Sequence, residues 1–531
     1  MKPVMQNQFA QVPRVGIPRS QFDRSHTHKT TFDAGWLVPI FVDEAYPGDT
    51  FNLKMTGFAR MATPIKPVMD NQIMSTFFFA VPNRLIWENW ERFNGAQDNP
   101  GDSTDFTVPT ITKGGGYDAG HLFDYMGLPV NTGGGNITHS ALFGRAYNLI
   151  WNEWFRDQNL QDSVSVPMGD GPDNWQTFNL LRRGKRHDYF TSCLPWPQKG
   201  EAVNVPIGTQ APVTGLGFST QTPDLVNGPY GVAETGGQAD YDFMMTTTPT
   251  NGIVAKASAA TNASPEIYAD LTQATAITIN DLREAFQLQK MLEKDARGGT
   301  RYTEKIRAHF GVISPDQRLQ RPEFLGGGSS PINIRPVEQT QATSSDVQQN
   351  DTPQGNLAAY GTAQLHNHGF TKSFTEHCII IGLVNVRADL TYQQGINRMW
   401  SRQTQYDYYW PSLAFLGEQE VLNKEIYAGV GDGQDNNVFG YQERWAELRY
   451  KPSQITGLFR SDAPQSLDVW HLSQDFGSRP VLGPTFIEDN PPIDRVIALQ
   501  DEPHYLFDSH FSLKCARPMP MNSVPGNIDR F

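Results

Sequence analysis

The chain has 531 residues, of which 38% are hydrophobic and 19% charged, and its net charge at pH 7 is −13. This length exceeds the roughly 250–300 residues at which one hydrophobic core stops growing, so the chain needs either several domains or one core with large insertions. The acidic charge argues against a protein that coats nucleic acid unaided, and the longest apolar run, residues 378–384, is too short to span a membrane.

The first thirty residues carry five Lys or Arg against one Asp and show neither helical nor strand periodicity. This pattern predicts an extended N-terminal arm, residues 1–30, that contacts other surfaces rather than its own core. The candidate residues for contacts between subunits are Arg14, Arg19, Phe22 and Arg24.

Strand patterns flank a long, interrupted middle region. Alternating or continuous runs of apolar residues predict strands at residues 37–42, 51–56, 74–81, 373–387, 441–450, 467–472 and 505–514. Because the outer strands must pair across a gap of roughly 300 residues, one β-sandwich with very large loop insertions is favoured over a string of domains. Residues 31–531 are therefore predicted to form a single domain with an all-β core.

Four insertions into this domain differ in composition. The second has one Lys and seven acidic residues between positions 201 and 280, and its Thr, Ala and Gly content provides little apolar bulk for a core of its own. The insertions are a helical, Gly-rich one (about 83–180, with helices near 84–93 and 140–160), this Thr/Ala/Gly-rich one (about 205–275), a helical segment (about 280–311) and a polar loop (about 320–365).

Residue types that bind metals or form disulfides are few. Cys193, Cys378 and Cys515 are too widely spaced for a disulfide framework or a zinc site, so we expect buried free thiols. The pairs His26/His28 and His366/His368 have no third ligand nearby in sequence, so exposed loop histidines are favoured over a metal site. No metal or other cofactor is expected. The N-terminus has no apolar segment typical of a secretory signal, which favours synthesis and assembly in a reducing cytoplasm.

No nucleotide-binding loop, zinc-protease motif or serine-hydrolase motif occurs in the sequence. Glu418, Glu420 and Glu425 lie near Trp410, and two suitably separated carboxylates are enough for a glycoside hydrolase. A secreted carbohydrate-binding or glycoside-hydrolase β-sandwich therefore stays open as an alternative, although the missing secretory signal counts against it.

One basic cluster stands out, formed by Arg182, Arg183, Lys185 and Arg186 and followed by aromatic residues. Cations next to aromatic rings are what a groove for single-stranded nucleic acid needs, because cations bind phosphates and rings stack on bases. The alternative is a solvated basic loop or one that contacts another subunit.

Several motifs together resemble the major capsid proteins of gokushoviruses, in the microvirus family. They run in order along almost the whole chain: IPRSQFDRSH (17–26), FDAGWLVPIFVD (32–43), PGDTFNLKM (47–55), FFFAVPNR (77–84), KRHDYFTS (185–192), LPWPQKG (194–200), YQERWAE (441–447) and RPMP (517–520).

This resemblance implies a non-enzymatic coat protein with an eight-stranded viral jelly roll. About sixty copies would form a T=1 icosahedral shell around a circular single-stranded DNA genome. It also implies a small basic DNA-binding protein inside the virion, a minor pilot-type virion protein, and threefold protrusions that we assign to residues 205–275. The protrusions would bind an unknown bacterial surface receptor. On this basis Arg182, Arg183, Lys185 and Arg186 are candidates for an inner contact with DNA or the basic protein.

Overall fold

The computed structural model describes residues 18–130, 133–201, 203, 213–214, 268–269, 279–313, 320–341, 354–429 and 431–522. The chain divides into two compact units, residues 1–197 together with 298–531, and residues 198–297. In the described part of the chain no helix is both long and apolar enough to cross a lipid bilayer.

Strands account for most of the regular structure. In chain order those of the described residues are β1 (Ser20–Asp23), β2 (His26–Phe32), β3 (Val38–Ala45), β4 (Thr50–Met61), β5 (Gln72–Pro82), β6 (Thr110–Gly114), β7 (Asn136–Ser140), β8 (Val213–Thr214), β9 (Tyr268–Ala269), β10 (Glu323–Pro331), β11 (Asn333–Glu338), β12 (Leu357–Ser373), β13 (Cys378–Ala388), β14 (Thr391–Tyr392), β15 (Glu418–Leu422), β16 (Val438–Glu443), β17 (Ser453–Gln454) and β18 (Tyr505–Arg517).

Most of the α-helices are short. Those of the described residues are α1 (Trp90–Phe93), α2 (Leu122–Tyr125), α3 (Leu142–Ile150), α4 (Ile279–Gly298), α5 (Tyr302–Phe310), α6 (Asn423–Ile426), α7 (Ala446–Arg449) and α8 (Pro484–Ile487).

Two antiparallel sheets form the core of the larger unit. The first has the order β1-β18-β4-β12-β11, with β2 also paired to β18, and the second has the order β10-β5-β13-β3. Eight of these strands alternate between the two sheets along the chain. Their order is β2, β3, β4, β5, β10, β12, β13, β18, and each connection except that from β5 to β10 crosses from one sheet to the other. This is the connectivity of a jelly roll. Strands β1 and β11 extend the first sheet, so in the described part of the chain the two sheets hold ten strands, eight of which belong to this series.

The two sheets pack face to face through alternating side chains. Along β4 every second residue is buried, from Phe51 to Met61, while the residues between them face outward. Rings from opposite sheets meet across the interface: the centres of Phe41 and Phe511 are 5.3 Å apart. Each large apolar side chain buried in this way stabilises the fold by about 1.5–3 kcal/mol relative to its exposed state.

The second sheet is covered on its other face as well. Strand β13 is buried along almost its whole length, and its Ile379, Ile381 and Leu383 pack in a cluster that includes Tyr147 and Trp151. The covering layer comes from the segment predicted as a helical, Gly-rich insertion. Its main helix, α3, continues as a π-helical stretch at Trp151–Phe155, whereas the helix predicted at 84–93 is reduced to α1 and a short 3₁₀ turn.

Arg145 fixes this covering layer in place. Its guanidinium makes two bonds to the Asp173 carboxylate, of 2.7 and 2.8 Å, and donates to the carbonyls of Ile86 and Gly169 at 3.0 and 2.8 Å. The side chain of Arg145 is fully buried and that of Asp173 is 3% exposed. One arginine thus joins α3 to two separate loops of the layer.

The prediction that residues 1–30 leave their own core is wrong for residues 20–30. Strands β1 and β2 pair with successive parts of β18, from Ser20 opposite Arg517 to Phe32 opposite Tyr505. The physical reason is that β18 offers an unpaired edge whose backbone groups need partners.

The candidate arm residues follow the same pattern. Phe22 lies opposite Cys515, Arg24 forms a 2.6 Å ion pair with Asp43, and the Arg19 guanidinium donates to Thr50 Oγ1. These contacts are all within one chain. Arg14 and residues 1–17 lie outside the described residues.

The predicted polar loop at 320–365 is wrong for much of its described part, because β10, β11 and the first half of β12 lie there; residues 342–353 lie outside the described residues. Three consecutive glycines in β10 suggested a loop, but they permit a close approach of backbones. A Cβ on Gly327 would lie 2.0 Å from the Thr76 carbonyl oxygen, and one on Gly326 would lie 2.5 Å from that of Gly369. Any side chain there would push β10 away from its neighbours.

Two C-terminal strand predictions fail in part. The strand predicted at 441–450 ends at Glu443 and is followed by α7, and residues 467–472 contain a 3₁₀ turn at Asp468–Trp470. The predicted helical segment at 280–311 contains α4 and α5, and α5 ends at Gly311 with a φ of +69°. All three cysteines are free and buried, as predicted.

The smaller unit, residues 198–297, contains most of α4 and a two-residue antiparallel pairing between β8 and β9. This pairing brings together the two ends of the segment predicted as a protrusion. Residues 215–267, the greater part of that segment, lie outside the described residues.

Candidate nucleic-acid and assembly surfaces

The predicted basic cluster lies on the segment 182–186, which runs between residues 35–36 and residues 487–490. Its backbone pairs with both: Trp36 is bridged to Arg182, and Gly184 to Glu488. The Arg182 guanidinium stacks 4.1 Å from the centre of the Trp36 ring and donates to the Asp489 carbonyl at 3.1 Å. This cation therefore holds two segments of the same chain together.

Arg183 and Lys185 lie deeper. The guanidinium of Arg183 lies 4.7 Å from the centre of the Phe77 ring, and Lys185, 8% exposed, has its Nζ 4.6 Å from the centre of the Phe486 ring. Burial lowers the pKa of Arg183 to about 9 and that of Lys185 to about 8. Such desolvated cations are poor partners for a phosphate chain.

A buried carboxylate lies among these cations. Asp489 is 2% exposed, and burial raises its pKa to about 7, an effect that Arg387, Lys185, Arg183 and Arg182 only partly offset. The charge of the cluster is therefore used within the subunit.

Arg186 is the member of the cluster with the most exposed side chain, and it forms a 2.7 Å ion pair with Asp389. Arg183 and Lys185 pack against Phe77 and Phe486 rather than against the aromatic residues that follow the cluster in sequence, and burial desolvates both cations. The contact of Arg182, Arg183 and Lys185 with DNA or a basic protein is not tested by this geometry and stays a prediction. An inner contact of Arg186 with DNA or a basic protein stays a prediction.

The histidine pairs lie on strands rather than on exposed loops, which corrects the prediction. His26 stacks on Phe511 with ring centres 5.2 Å apart, and burial lowers the pKa of His28. His368 is buried, with its Nδ1 2.8 Å from Thr76 Oγ1, and burial lowers its pKa too. Within the described ranges no group of three or more His, Cys, Asp or Glu side chains is arranged to hold a metal ion.

Among the carboxylates that kept a glycoside hydrolase open, Glu425 has structural partners. Glu425 is buried, accepts a 2.8 Å hydrogen bond from the Tyr189 hydroxyl and forms a 3.1 Å ion pair with Arg398. Burial raises its pKa, and the hydrogen bonds and Arg398 act in the opposite direction. Glu447 pairs in the same way with Arg402 at 3.1 Å. These two carboxylates anchor a loop.

An open cleft of about 1190 Å³ lies between β2, β18 and the loops around Tyr125 and residues 490–504. Its walls carry both signs of charge, and its His504 accepts from the Ala34 N–H at 3.1 Å and contacts Asp494 at 2.8 Å. Because the charges of the walls are mixed, the cleft has no clear preference for an anionic or a cationic ligand.

The loop anchored by Glu425 and Glu447 was not singled out by the sequence reasoning. Residues 396–416 contain six aromatic side chains, and most of them are exposed. The signal in the sequence was this density of aromatics without strand or helix periodicity, in the run from Tyr406 to Trp410.

A large antiparallel jelly roll with long insertions is an architecture that recurs in viral coat proteins. The fold is therefore the one expected of a structural protein of the coat-protein class.

Comparisons with known proteins identify the family. A family model described as "Capsid protein (F protein)" matches residues 10–527. "Capsid protein VP1" of Bdellovibrio phage phiMH2K is 48% identical over 539 residues, which cover 99% of this chain and 98% of the relative. The proteins of the same name from Chlamydia phage 1 and Spiroplasma virus 4 are 43% and 39% identical, over 98% and 96% of this chain and 98% and 95% of their own lengths.

The chain therefore belongs to this capsid protein family, and the resemblance to microvirus capsid proteins is confirmed. It is a major capsid protein that assembles with copies of itself into the shell of a virion, and it is a structural protein rather than an enzyme. The alternative of a secreted sugar-active sandwich is set aside, because the match extends over almost the whole chain.

Proposed function

We propose that about sixty copies of this chain form a T=1 icosahedral shell around a circular single-stranded DNA genome. The observation that carries the proposal is the match to a phage capsid protein along 99% of this chain and 98% of the relative. A closed shell of one subunit needs several different contacts per copy, and the long insertions between the jelly-roll strands provide surface for them.

Charge neutralisation of the genome comes mainly from other components. The subunit has a net charge of −13. In its basic cluster Arg186 is ion-paired and Lys185 is buried, while Arg182 and Arg183 stack on aromatic rings of the same chain. An acidic subunit around a polyanion requires mobile cations or a basic partner. We therefore include a small basic DNA-binding protein in the virion, together with a minor pilot-type protein. DNA binding by the subunit itself is not sequence-specific.

The segment at about 205–275 forms an outward protrusion at the threefold axes and contacts a bacterial surface receptor. Three observations support this assignment: residues 198–297 form a separate compact unit, β8 and β9 bring the ends of the segment together, and acidic residues outnumber Lys seven to one between positions 201 and 280. An acidic face suits the outside of a shell, since on the inside it would repel the genome.

Assembly takes place in the host cytoplasm. The three cysteines are free and buried, which suits a reducing compartment.

Cryo-electron microscopy of the chain produced in bacteria tests the shell. We expect closed spherical particles with icosahedral T=1 symmetry. Open sheets, tubes or a protein that stays monomeric at every concentration and ionic strength would contradict the proposal.

A linker variant tests the protrusion separately. Residues 216–266 are replaced by a short Gly-Ser linker, which leaves β8 and β9 in place. Shells should form without density at the threefold axes and should adsorb less to host cells. Unchanged threefold density would refute the placement, and unchanged adsorption would refute the receptor role.

A further inference from the structure

We infer that the exposed aromatic loop, defined as residues 396–416, is a contact surface for a second copy of this chain. This inference rests on the proposed function and adds to it the part of the subunit that makes the contact.

The aromatic loop exposes large apolar side chains far beyond what a surface normally carries. Phe415 is 98% exposed, Trp400 75% and Tyr406 70%, and Met399, Tyr408 and Leu416 are each more than half exposed. Scattered single exposed residues need no explanation, but a dense group on one loop marks an interaction surface. Aromatic side chains and Met are also the residue types enriched at protein interfaces.

The exposure does not result from a loosely held loop. Arg398 bonds to Glu425 at 3.1 Å and to the Glu420 carbonyl at 2.5 Å, while Arg402 pairs with Glu447 at 3.1 Å. These ion pairs lie beneath the loop, with the carboxylate side chains only 3% and 6% exposed.

Further contacts fix the rest of the loop. The Trp445 indole donates to the Leu413 carbonyl at 3.0 Å, and the backbone N–H groups of Gln403 and Thr404 donate to Asp407 at 3.0 and 2.7 Å. The backbone of the loop is thus held by contacts within the subunit, while its aromatic rings point outward. A surface ordered in advance loses little conformational entropy when a partner binds.

The charges of the loop favour a protein over nucleic acid as the partner. Stacking on single-stranded DNA needs cations for the phosphates beside the rings. Here both arginines of the loop are paired with carboxylates, and hydrogen bonds from backbone N–H groups lower the pKa of Asp407 to about 2, so this acid stays charged. Arg444 lies close enough to Asp407 to lower its pKa as well, so the charges next to the rings roughly cancel.

A second copy of the chain is the partner that the family membership provides. In a shell every subunit is surrounded by identical subunits, and apolar surface left uncovered on a free subunit becomes buried at these contacts. The low charge of the loop also suits a contact between two subunits that are both strongly acidic, because it avoids adding like-charge repulsion at the interface.

Phe415→Asp tests the inference, with Phe415→Leu as the matched control. Because Phe415 is 98% exposed, neither change should alter the folded subunit, which circular dichroism and the urea midpoint verify. We expect Phe415→Asp to raise the concentration needed for shell assembly on the order of tenfold or more, and Phe415→Leu to assemble like the wild type. Trp400→Ser serves as a second, independent variant with the same expected direction.

The outcomes separate the inference from the proposed function. If the wild type forms shells and both Phe415→Asp and Trp400→Ser assemble equally well, the inference is overturned and the proposed function stands. Normal assembly of both variants with a lower DNA content per particle would also overturn it and would assign the loop to the genome. If the wild type forms no shells, the proposed function fails and the inference fails with it. If the inference holds, hydroxyl-radical footprinting should show that Trp400 and Phe415 are protected in assembled wild-type shells relative to the free subunit.

Discussion

Replacing Asp173 with Ala removes the partner of Arg145 and should destabilise the layer that covers the second sheet. The guanidinium of Arg145 is fully buried and makes two bonds of 2.7 and 2.8 Å to the Asp173 carboxylate. The variant keeps the bonds of Arg145 to two carbonyl oxygens but leaves a buried positive charge without a counter-charge.

The expected loss follows from the burial of the pair. Removing one partner of a buried ion pair costs about 3–5 kcal/mol, because the remaining charge stays desolvated and unpaired. Asp508→Ala is the matched control, since it breaks the 2.6 Å pair with Lys29, whose two side chains are 72% and 51% exposed. Exposed pairs contribute about 1 kcal/mol or less to the free energy of unfolding.

Urea denaturation monitored by tryptophan fluorescence measures both variants. Trp87 and Trp151 are buried in the covering layer, so their emission reports on its unfolding. The midpoint should fall clearly for Asp173→Ala and stay near the wild-type value for Asp508→Ala. Equal, small shifts in both variants would refute the reasoning that the buried pair stabilises this layer.

Three further predictions concern the core and its charges. Gly327→Ala should lower the free energy of unfolding by about 1–3 kcal/mol in thermal melting, because its Cβ would lie 2.0 Å from a backbone oxygen. Gly477→Ala is the control and should be nearly neutral, since a Cβ there would have open space around it. Deleting residues 2–17 should leave the soluble yield and circular dichroism unchanged, whereas deleting residues 2–32 should abolish folding by removing both strands paired to β18. Burial raises the pKa of Asp489 from its ordinary value of 3.8 to about 7, so between these pH values the folded chain holds a proton on Asp489 that the unfolded chain has lost. The free energy of unfolding should therefore fall as the pH rises from about 4 to about 7. Asp489→Asn should flatten this pH dependence in urea denaturation.

Periodicity was enough to predict some of the strands that bury one or both faces. The alternation from Phe51 to Met61 and the continuous apolar run of β13 each produce a pattern with one structural solution. β10 was missed because glycines normally weaken strands. Glycine is needed there because the β10 backbone lies very close to the backbones of Thr76 and Gly369, which are distant in sequence.

The candidate site was harder to predict than the fold because charge says nothing about burial. The cluster around Lys185 looked like a phosphate-binding groove, yet its counter-charge, Asp489, follows about three hundred residues later in the chain. The aromatic loop drew no prediction of its own from the sequence, because its aromatic residues follow neither a strand nor a helix period, and only the structure shows Phe415 at 98% exposure.

The central claim is that this chain closes into a shell of fixed copy number. Mass measurement of the purified particles by charge-detection mass spectrometry tests it most directly. With a subunit of 59.4 kDa, empty shells should give one narrow peak at about 3.6 MDa, the mass of sixty copies. A broad distribution of masses, or a peak at another copy number, would contradict the account.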